Sequence, residues 1–225
     1  MALVHALANQ KGGAGKTTLT VNLAAVTHDV LAGDPDHSPV LVVSTDPQAS
    51  TVWWADRVDG LPFDFVQTED PADLQKLSAL PRYAHIFVDT PGSLENGHIL
   101  QAVLDAADDV VVPMPPEPLA FDPTARTIDK VLRPRGVPFR VVVNAWDPRD
   151  GLAYLHETQQ YIDRRGWPRT NVCIRRYKVH TRASADGLVV TQYPKNRVAM
   201  EAREDFFRLA LELGLGGTST TAVAG

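Results

Sequence analysis

The 225-residue chain contains one cysteine, Cys173. No disulfide can form within it, and no iron–sulfur cluster or cysteine-built zinc site is possible. A reducing, cytoplasmic setting is the expectation. Positive charge is not in excess either. Lys and Arg number 22 against 27 Asp and Glu, a formal net charge of −5. This rules out a wholesale nucleic-acid coat and leaves a local basic patch open. No stretch approaches the roughly 18 consecutive apolar residues needed to cross a bilayer. The opening Met1-Ala2-Leu3-Val4-His5-Ala6 has no cationic lead, so it reads as neither a signal peptide nor a span. Internal repeats are absent.

What is present is an ordinary globular composition, 44% hydrophobic and 22% charged, at a length that suits one domain with a large core. Short β-branched runs alternate with longer amphipathic stretches. Strands are expected at Leu3 to Ala8, Val40 to Val43, Phe63 to Val66, Ile86 to Val88, Val110 to Val112 and Val137 to Val143. Helices are expected from about Lys16 (with Leu19, Leu23 and Val26 on one face), and at Pro71 to Leu80, Gly97 to Ala106, Pro123 to Leu132, Leu152 to Arg165 and Arg197 to Leu213. Continuous rather than alternating apolar runs mean strands buried on both faces. The pattern predicts a single α/β domain over residues 1–213, a mostly parallel twisted sheet flanked by helices, with ligands at the carboxyl ends of the strands. The uncharged Gly/Thr-rich segment 214–225 reads as a disordered tail.

Between the first strand and first helix lies Asn9-Gln10-Lys11-Gly12-Gly13-Ala14-Gly15-Lys16-Thr17-Thr18. The usual G-x-x-x-x-G-K-[ST] pattern fails by one residue, because its first position falls on Gln10. Gly12, Gly13 and Gly15 nevertheless allow the tight turn that aims amides at phosphate oxygens, and the helix N-terminus adds its dipole. Lys16 is placed for the β- and γ-phosphates and Thr17 for Mg²⁺.

With its early lysine, Lys11-Gly12-Gly13-x-Gly15-Lys16-Thr17-Thr18 resembles the deviant Walker A motif of the ParA/MinD family of P-loop NTPases. The resemblance runs from Leu3 to about Leu213 and is strongest to the short ParA-type partition ATPases, since no helix-turn-helix precedes the first strand. It implies an ATPase that binds ATP and Mg²⁺, forms a homodimer with ATP, and reaches the partner's nucleotide with Lys11. A trans cation of this kind stabilises the transferring phosphoryl group. Ser44-Thr45-Asp46-Pro47-Gln48 is similar to the family's D-x-D-P-Q switch, with Asp46 as the water-positioning residue and Ser44 replacing the first aspartate. Asp89-Thr90-Pro91-Gly92 looks like Walker B with the second switch. By the same resemblance the ATP contacts comprise Lys11, Gly12, Gly13, Ala14, Gly15, Lys16, Thr17, Thr18, Asn144 and Pro194. Thr17, Asp46 and Asp89 serve the metal, and Lys11 and Asp46 the catalysis. Asn144 offers adenine a paired donor and acceptor, although an asparagine at a strand end also serves as a turn former. The segment Val112-Pro113-Met114-Pro115-Pro116-Glu117-Pro118-Leu119 either joins a dimer interface, as in the family, or is simply a stiff connection.

From Arg164 to Arg182 seven basic residues occur with no Asp or Glu after Arg164. The family places nonspecific DNA contacts in this region, and Arg175, Arg176, Lys178 and Arg182 are the candidates. A solvated face balanced by acids elsewhere in the fold is the alternative. Lys195, Arg197 and Arg203 are expected beside them. The segment Arg176 to Val179 through Gly187 to Val190 resembles the family's late helix and following strand. Expected partners are nonspecific DNA and a ParB-like or cargo adaptor protein that stimulates hydrolysis, with no membrane and a nucleoid-associated location. A MinD-like membrane-cycling ATPase would need a basic amphipathic end, and a dethiobiotin-synthetase-like ligase should lack both Lys11 and the Asp46 switch.

Overall fold

The computed structural model describes residues 1–31, 37–45, 60–92 and 97–216. Asp46, Pro47, Gln48 and the rest of the first switch lie outside the described residues. Seven strands form one sheet: β1 (Leu3–Leu7), β2 (Val40–Ser44), β3 (Asp64–Gln67), β4 (His85–Asp89), β5 (Asp109–Met114), β6 (Phe139–Trp146) and β7 (Ile174–Arg175). Their order is β3-β2-β4-β1-β5-β6-β7, and every pairing is parallel. Parallel strands require crossovers, and among the described residues seven helices supply cover: α1 (Lys16–Leu31), α2 (Pro71–Leu74), α3 (Gly97–Ala106), α4 (Pro118–Thr127), α5 (Ala153–Arg164), α6 (Lys178–Ala185) and α7 (Arg197–Leu213). Among the described residues, no helix is long and apolar enough to cross a membrane.

Two apolar layers flank the sheet. One holds Val4, Ala6, Ile86, Val88, Val103, Ile128 and Ile162, the other Leu7, Leu23, Val42, Phe87, Val142, Phe206 and Leu209. Successive residues of β1 and β4 enter opposite layers, which is why those strands read as unbroken apolar runs. Helix α1 departs from the expected single stripe: every residue from Leu19 to Thr27 is buried. The helix is covered by the sheet on one side and by α7 and the turn at Val190 on the other.

Four further expectations need correction. Helix α4 begins at Pro118, five residues earlier than the expected start, because Pro118 suits the first helical turn and Pro123 is carried inside the helix. It continues as a π-turn, Ile128–Leu132, and a 3₁₀ turn, Arg133–Arg135, closed by Gly136 at φ +64°. Strand β7 was missed, being only two residues long. The strand expected after α6 is instead a 3₁₀ turn, Val190–Gln192, whose backbone is satisfied by side chains. Asn22 Oδ1 accepts from the Val190 amide at 2.6 Å, while Arg203 donates to the carbonyls of Val190 and Thr191. The domain boundary drawn at residue 213 falls short: Leu215 is buried in the second layer, and its amide donates to the Ala210 carbonyl beyond the α7 C-cap at Gly214. Residues 217–225 lie outside the described residues.

Candidate nucleotide site

Four segments meet at the carboxyl ends of adjacent strands, as the parallel register requires. Leu7 pairs with Asp89 and Ser44 pairs with Asp89, so β1, β4 and β2 end side by side. The loop after β1 turns through Gly13 at φ +73° and Gly15 at φ +88°, a conformation that a side chain would strain. A Cβ at Gly12 or Gly13 would meet no atom within 4 Å, so this concave face of the loop is open. A Cβ on Gly15 would lie 2.2 Å from the Asn144 amide nitrogen.

That contact explains where Asn144 sits. It is buried at the end of the pairing between β6 and β5, and its Nδ2 donates to the Ala14 carbonyl at 2.7 Å. The structure thus makes Asn144 a brace behind the glycine loop. Pro194 is exposed in the turn between Tyr193 and α7, and its carbonyl accepts from the Asn196 amide at 2.8 Å.

The two lysines of the motif occupy different surroundings. Lys16 is buried, with Nζ donating to the Asn9 carbonyl at 3.1 Å. Gly92 closes over it, its Cβ position lying 3.4 Å from Lys16 Nζ. Lys11 is only half-buried, and its Nζ donates to the Gly12 carbonyl at 3.1 Å on the exposed side of the loop. Thr17 and Thr18 stand in the first turn of α1. Thr17 Oγ1 donates to Asp89 Oδ2 at 2.7 Å, joining the phosphate loop to the end of β4.

This donor set fits a hydrated divalent cation. Asp89 is fully buried, and Ser44 lies beside it in register on the sheet face that α1 covers. The Ser44 hydroxyl is fully buried and has no hydrogen-bond partner among the described residues, so a polar atom is available beside Asp89. An aspartate there would set two buried carboxylates side by side. Serine keeps the oxygen without the repulsion. Thr45 fixes the β2–β4 spacing: its amide and hydroxyl both donate to the Asp89 carbonyl, at 3.0 and 2.9 Å.

Sequence reasoning assigned Asn9 no role, although it opens the quoted motif. Its side chain is buried, donates to the Pro113 carbonyl at 2.7 Å and to Thr124 Oγ1 at 2.8 Å, and accepts from the Lys11 amide at 2.9 Å. The Gln10 amide donates to Thr127 Oγ1 at 3.0 Å. The backbone carrying Lys11 is therefore pinned to α4 and to the proline-rich end of β5. Thr124 and Thr127 give no sequence signal, because helical Thr is common and their partners lie over 110 positions away.

The four DNA candidates do not form one set. Arg175 is tied down: its guanidinium donates to both carboxylate oxygens of Asp205 on α7, at 2.7 to 3.1 Å, and to the Glu201 carbonyl at 3.2 Å. Hydrogen bonding to Asp205 raises the Arg175 pKa further, and the guanidinium also lies 5.2 Å from the Tyr177 ring centroid. Arg176, Lys178 and Arg182 are exposed and have no ion pair among the described residues. Of the expected neighbours, Arg203 serves the turn at Val190 and Arg197 pairs with Glu201 at 2.9 Å.

A glycine loop braced from β6, a lysine buried beneath it and a threonine–aspartate pair beside them have the chemistry to hold a phosphate and a divalent cation. Residues 5–190 match the CobQ/CobB/MinD/ParA nucleotide binding domain. The chain belongs to that family. It is an ATPase of the ParA/MinD type. It is 40% identical over 211 residues to the maintenance of carboxysome distribution protein A of Gloeobacter kilaueensis, covering 93% of each chain. The fold is similar to that of MinD in the MinC:MinD cell division protein complex of Aquifex aeolicus (TM-score 0.72, 17% identity, 94% of this chain and 96% of the other). The ATP complex of a Cyanothece McdA variant is likewise similar, with TM-score 0.70, 14% identity and coverage of 95% and 96%.

Proposed function

We propose that this ATPase binds MgATP, forms a nucleotide-sandwich homodimer, holds DNA nonspecifically and uses hydrolysis to position a cargo. The names of its relatives point to a carboxysome or similar protein organelle as that cargo, rather than a plasmid. In such a dimer an adaptor protein on the cargo would stimulate hydrolysis.

The contrast between the two lysines carries this reading. Lys16 is buried under its own loop, whereas Lys11 lies on the exposed side with its backbone pinned by Asn9. A cation so placed suits the nucleotide of a second copy. Thr17, Asp89 and Ser44 would hold Mg²⁺ directly or through water, with Asp46 from the first switch. Bound there, the ion neutralises charge on the β- and γ-phosphates. Asp46 orients the attacking water, Lys11 of the partner meets the charge that develops on the γ-phosphoryl oxygens, and Gly92 follows the departure of that group. Asn144 contacts the base, and the turn that carries Pro194 closes over it. Arg176, Lys178 and Arg182 supply phosphate contacts, doubled by dimerisation.

Three variants test the reading by fluorescent-nucleotide binding, light scattering and phosphate release. Lys16→Ala should lose nucleotide affinity by at least about 100-fold. Lys11→Ala should still bind ATP but neither dimerise nor hydrolyse it. Asp46→Ala should persist as an ATP-bound dimer. Normal dimerisation and turnover by Lys11→Ala would overturn the trans-lysine arrangement.

A further inference from the structure

A second basic surface is assembled only by folding, on the opposite side of the sheet from α6. The α4 rod, prolonged by its π and 3₁₀ turns, brings Arg126, Lys130, Arg133 and Arg135 alongside Arg164 and Arg165 at the end of α5. All six are exposed, and the acids beside them are Asp122, Asp129 and Asp163, the last of which is paired with Arg169 at 2.8 Å. Asp129 does not cancel the patch so much as shape it. It pairs with Arg133 at 3.1 Å and with Arg165, while Arg133 Nη2 donates to the Arg165 and Gly166 carbonyls at 3.2 and 3.4 Å. The Arg165 guanidinium lies 5.1 Å from the Trp167 ring centroid and 5.9 Å from that of Tyr161, so both its position and its plane are set. Arg126, Lys130, Arg135 and Arg164 form no ion pair among the described residues. A cleft of about 280 Å³ opens between Arg126, Lys130 and Arg165.

We propose that this flank is a second contact for the phosphate backbone of duplex DNA, accessible whether or not ATP is bound. Local charge complementarity selects a polyanion, in a chain whose overall charge of −5 would repel one. The absence of an apolar anchor selects a phosphate backbone over an acidic protein. None of the large hydrophobic side chains exposed among the described residues lies between Arg126 and Arg135, or at 164–166, whereas protein interfaces centre on buried aromatic or aliphatic anchors. Accessibility follows from topology. Because β5, β6 and β7 are parallel, α4 and α5 must return the chain to the amino edge of the sheet, so Arg133, Arg135, Arg164 and Arg165 lie away from the nucleotide loop. A dimer joined through that loop leaves them uncovered.

The proposal rests on the DNA reading above only for its choice of polyanion, and one experiment separates the two. Anisotropy of a random-sequence duplex is measured against salt with ATP, with ADP and without nucleotide. The samples are wild type, the flank variant Lys130→Glu/Arg135→Glu/Arg164→Glu and the α6-side variant Arg176→Glu/Lys178→Glu/Arg182→Glu. Wild type without nucleotide should bind weakly at about 50 mM salt, and the flank variant should lose about tenfold of that binding and flatten its salt slope by roughly two to three. Its ATP turnover in the absence of DNA should be unchanged, which also reports that it is folded. The milder Lys130→Gln/Arg135→Gln/Arg164→Gln should fall between. Binding that appears only with ATP and survives the flank variant overturns this proposal and leaves the ATP-gated reading standing. Flank-dependent binding that ATP does not strengthen does the reverse. Capture of a polyglutamate peptide by the flank, with no affinity for duplex, also overturns it.

Discussion

The nucleotide loop and the corner formed by β7, α6 and α7 are both dense in polar residues, yet they are held in opposite ways. In the loop, side chains bond mostly to backbone: Asn144 to Ala14, Lys16 to Asn9, Asn9 to Pro113 and Lys11. The shape is fixed by where the main chain turns. In the corner, charge meets charge. Arg175 is bound by Asp205 and Glu201, Tyr177 donates to Glu201, and Arg197 pairs with Glu201 again. There several cations are tied to acids, while Arg176, Lys178 and Arg182 are exposed with no ion pair among the described residues. A run of arginines is therefore a count of charges available before folding, and the acids of other elements decide how many survive it.

If the loop depends on backbone shape, the largest effect should come from adding one methyl group. Gly15→Ala meets both a φ of +88° and the Asn144 amide, and should cost about 3 kcal/mol or more and abolish nucleotide binding. Gly12→Ala, with open space around it, should be folded to nearly the wild-type thermal midpoint. Trimming the brace in Gly15→Ala/Asn144→Ala should recover part of the stability lost, because the clash is removed while the backbone strain stays. Strict additivity of the two changes in urea unfolding would refute the brace.

In the corner the paired and unpaired arginines should separate. Arg175→Ala leaves the nearly buried Asp205 carboxylate only the backbone amide of residue 175 as a donor, and should destabilise by about 2–3 kcal/mol. Exposed Arg182→Ala should stay within about 0.5 kcal/mol of wild type. Chemical denaturation of the two variants tests the distinction. A loss of DNA binding in Arg175→Ala would then reflect unfolding of the corner, so Arg182 is the cleaner probe of the surface.

A smaller effect concerns acid. His180 packs against Phe206, its Nδ1 lies 2.9 Å from the Tyr193 hydroxyl, and burial lowers its pKa from 6.5 to about 4. The folded state keeps the ring neutral where the unfolded chain would bind a proton. Stability is thus complete above about pH 6.5 and falls as pH drops toward 4, by about 2 kcal/mol at pH 5. His180→Gln should flatten that slope between pH 7 and 5, whatever its absolute stability. An unchanged slope, read from urea midpoints across that range, would move the effect to other groups.

The sequence by itself determined the strand-and-helix alternation, the parallel sheet and the phosphate loop. Each rests on short-range rules: a β-branched run buried on both faces, a glycine where φ is positive, a Lys-Thr pair opening a helix. It also placed Asp89 at a strand end, although only folding brought that carboxylate to Thr17. Folding likewise gave Asn144 a partner in the glycine loop, and gave Asn9 partners on β5 and α4. The arginine run shows most clearly what lies beyond the reach of sequence. The acid that holds Arg165 lies 36 residues upstream, and the one that holds Arg175 lies 30 downstream. Coulomb attraction acts through space while sequence records order along the chain, so the tertiary structure alone decided which cations face the solvent.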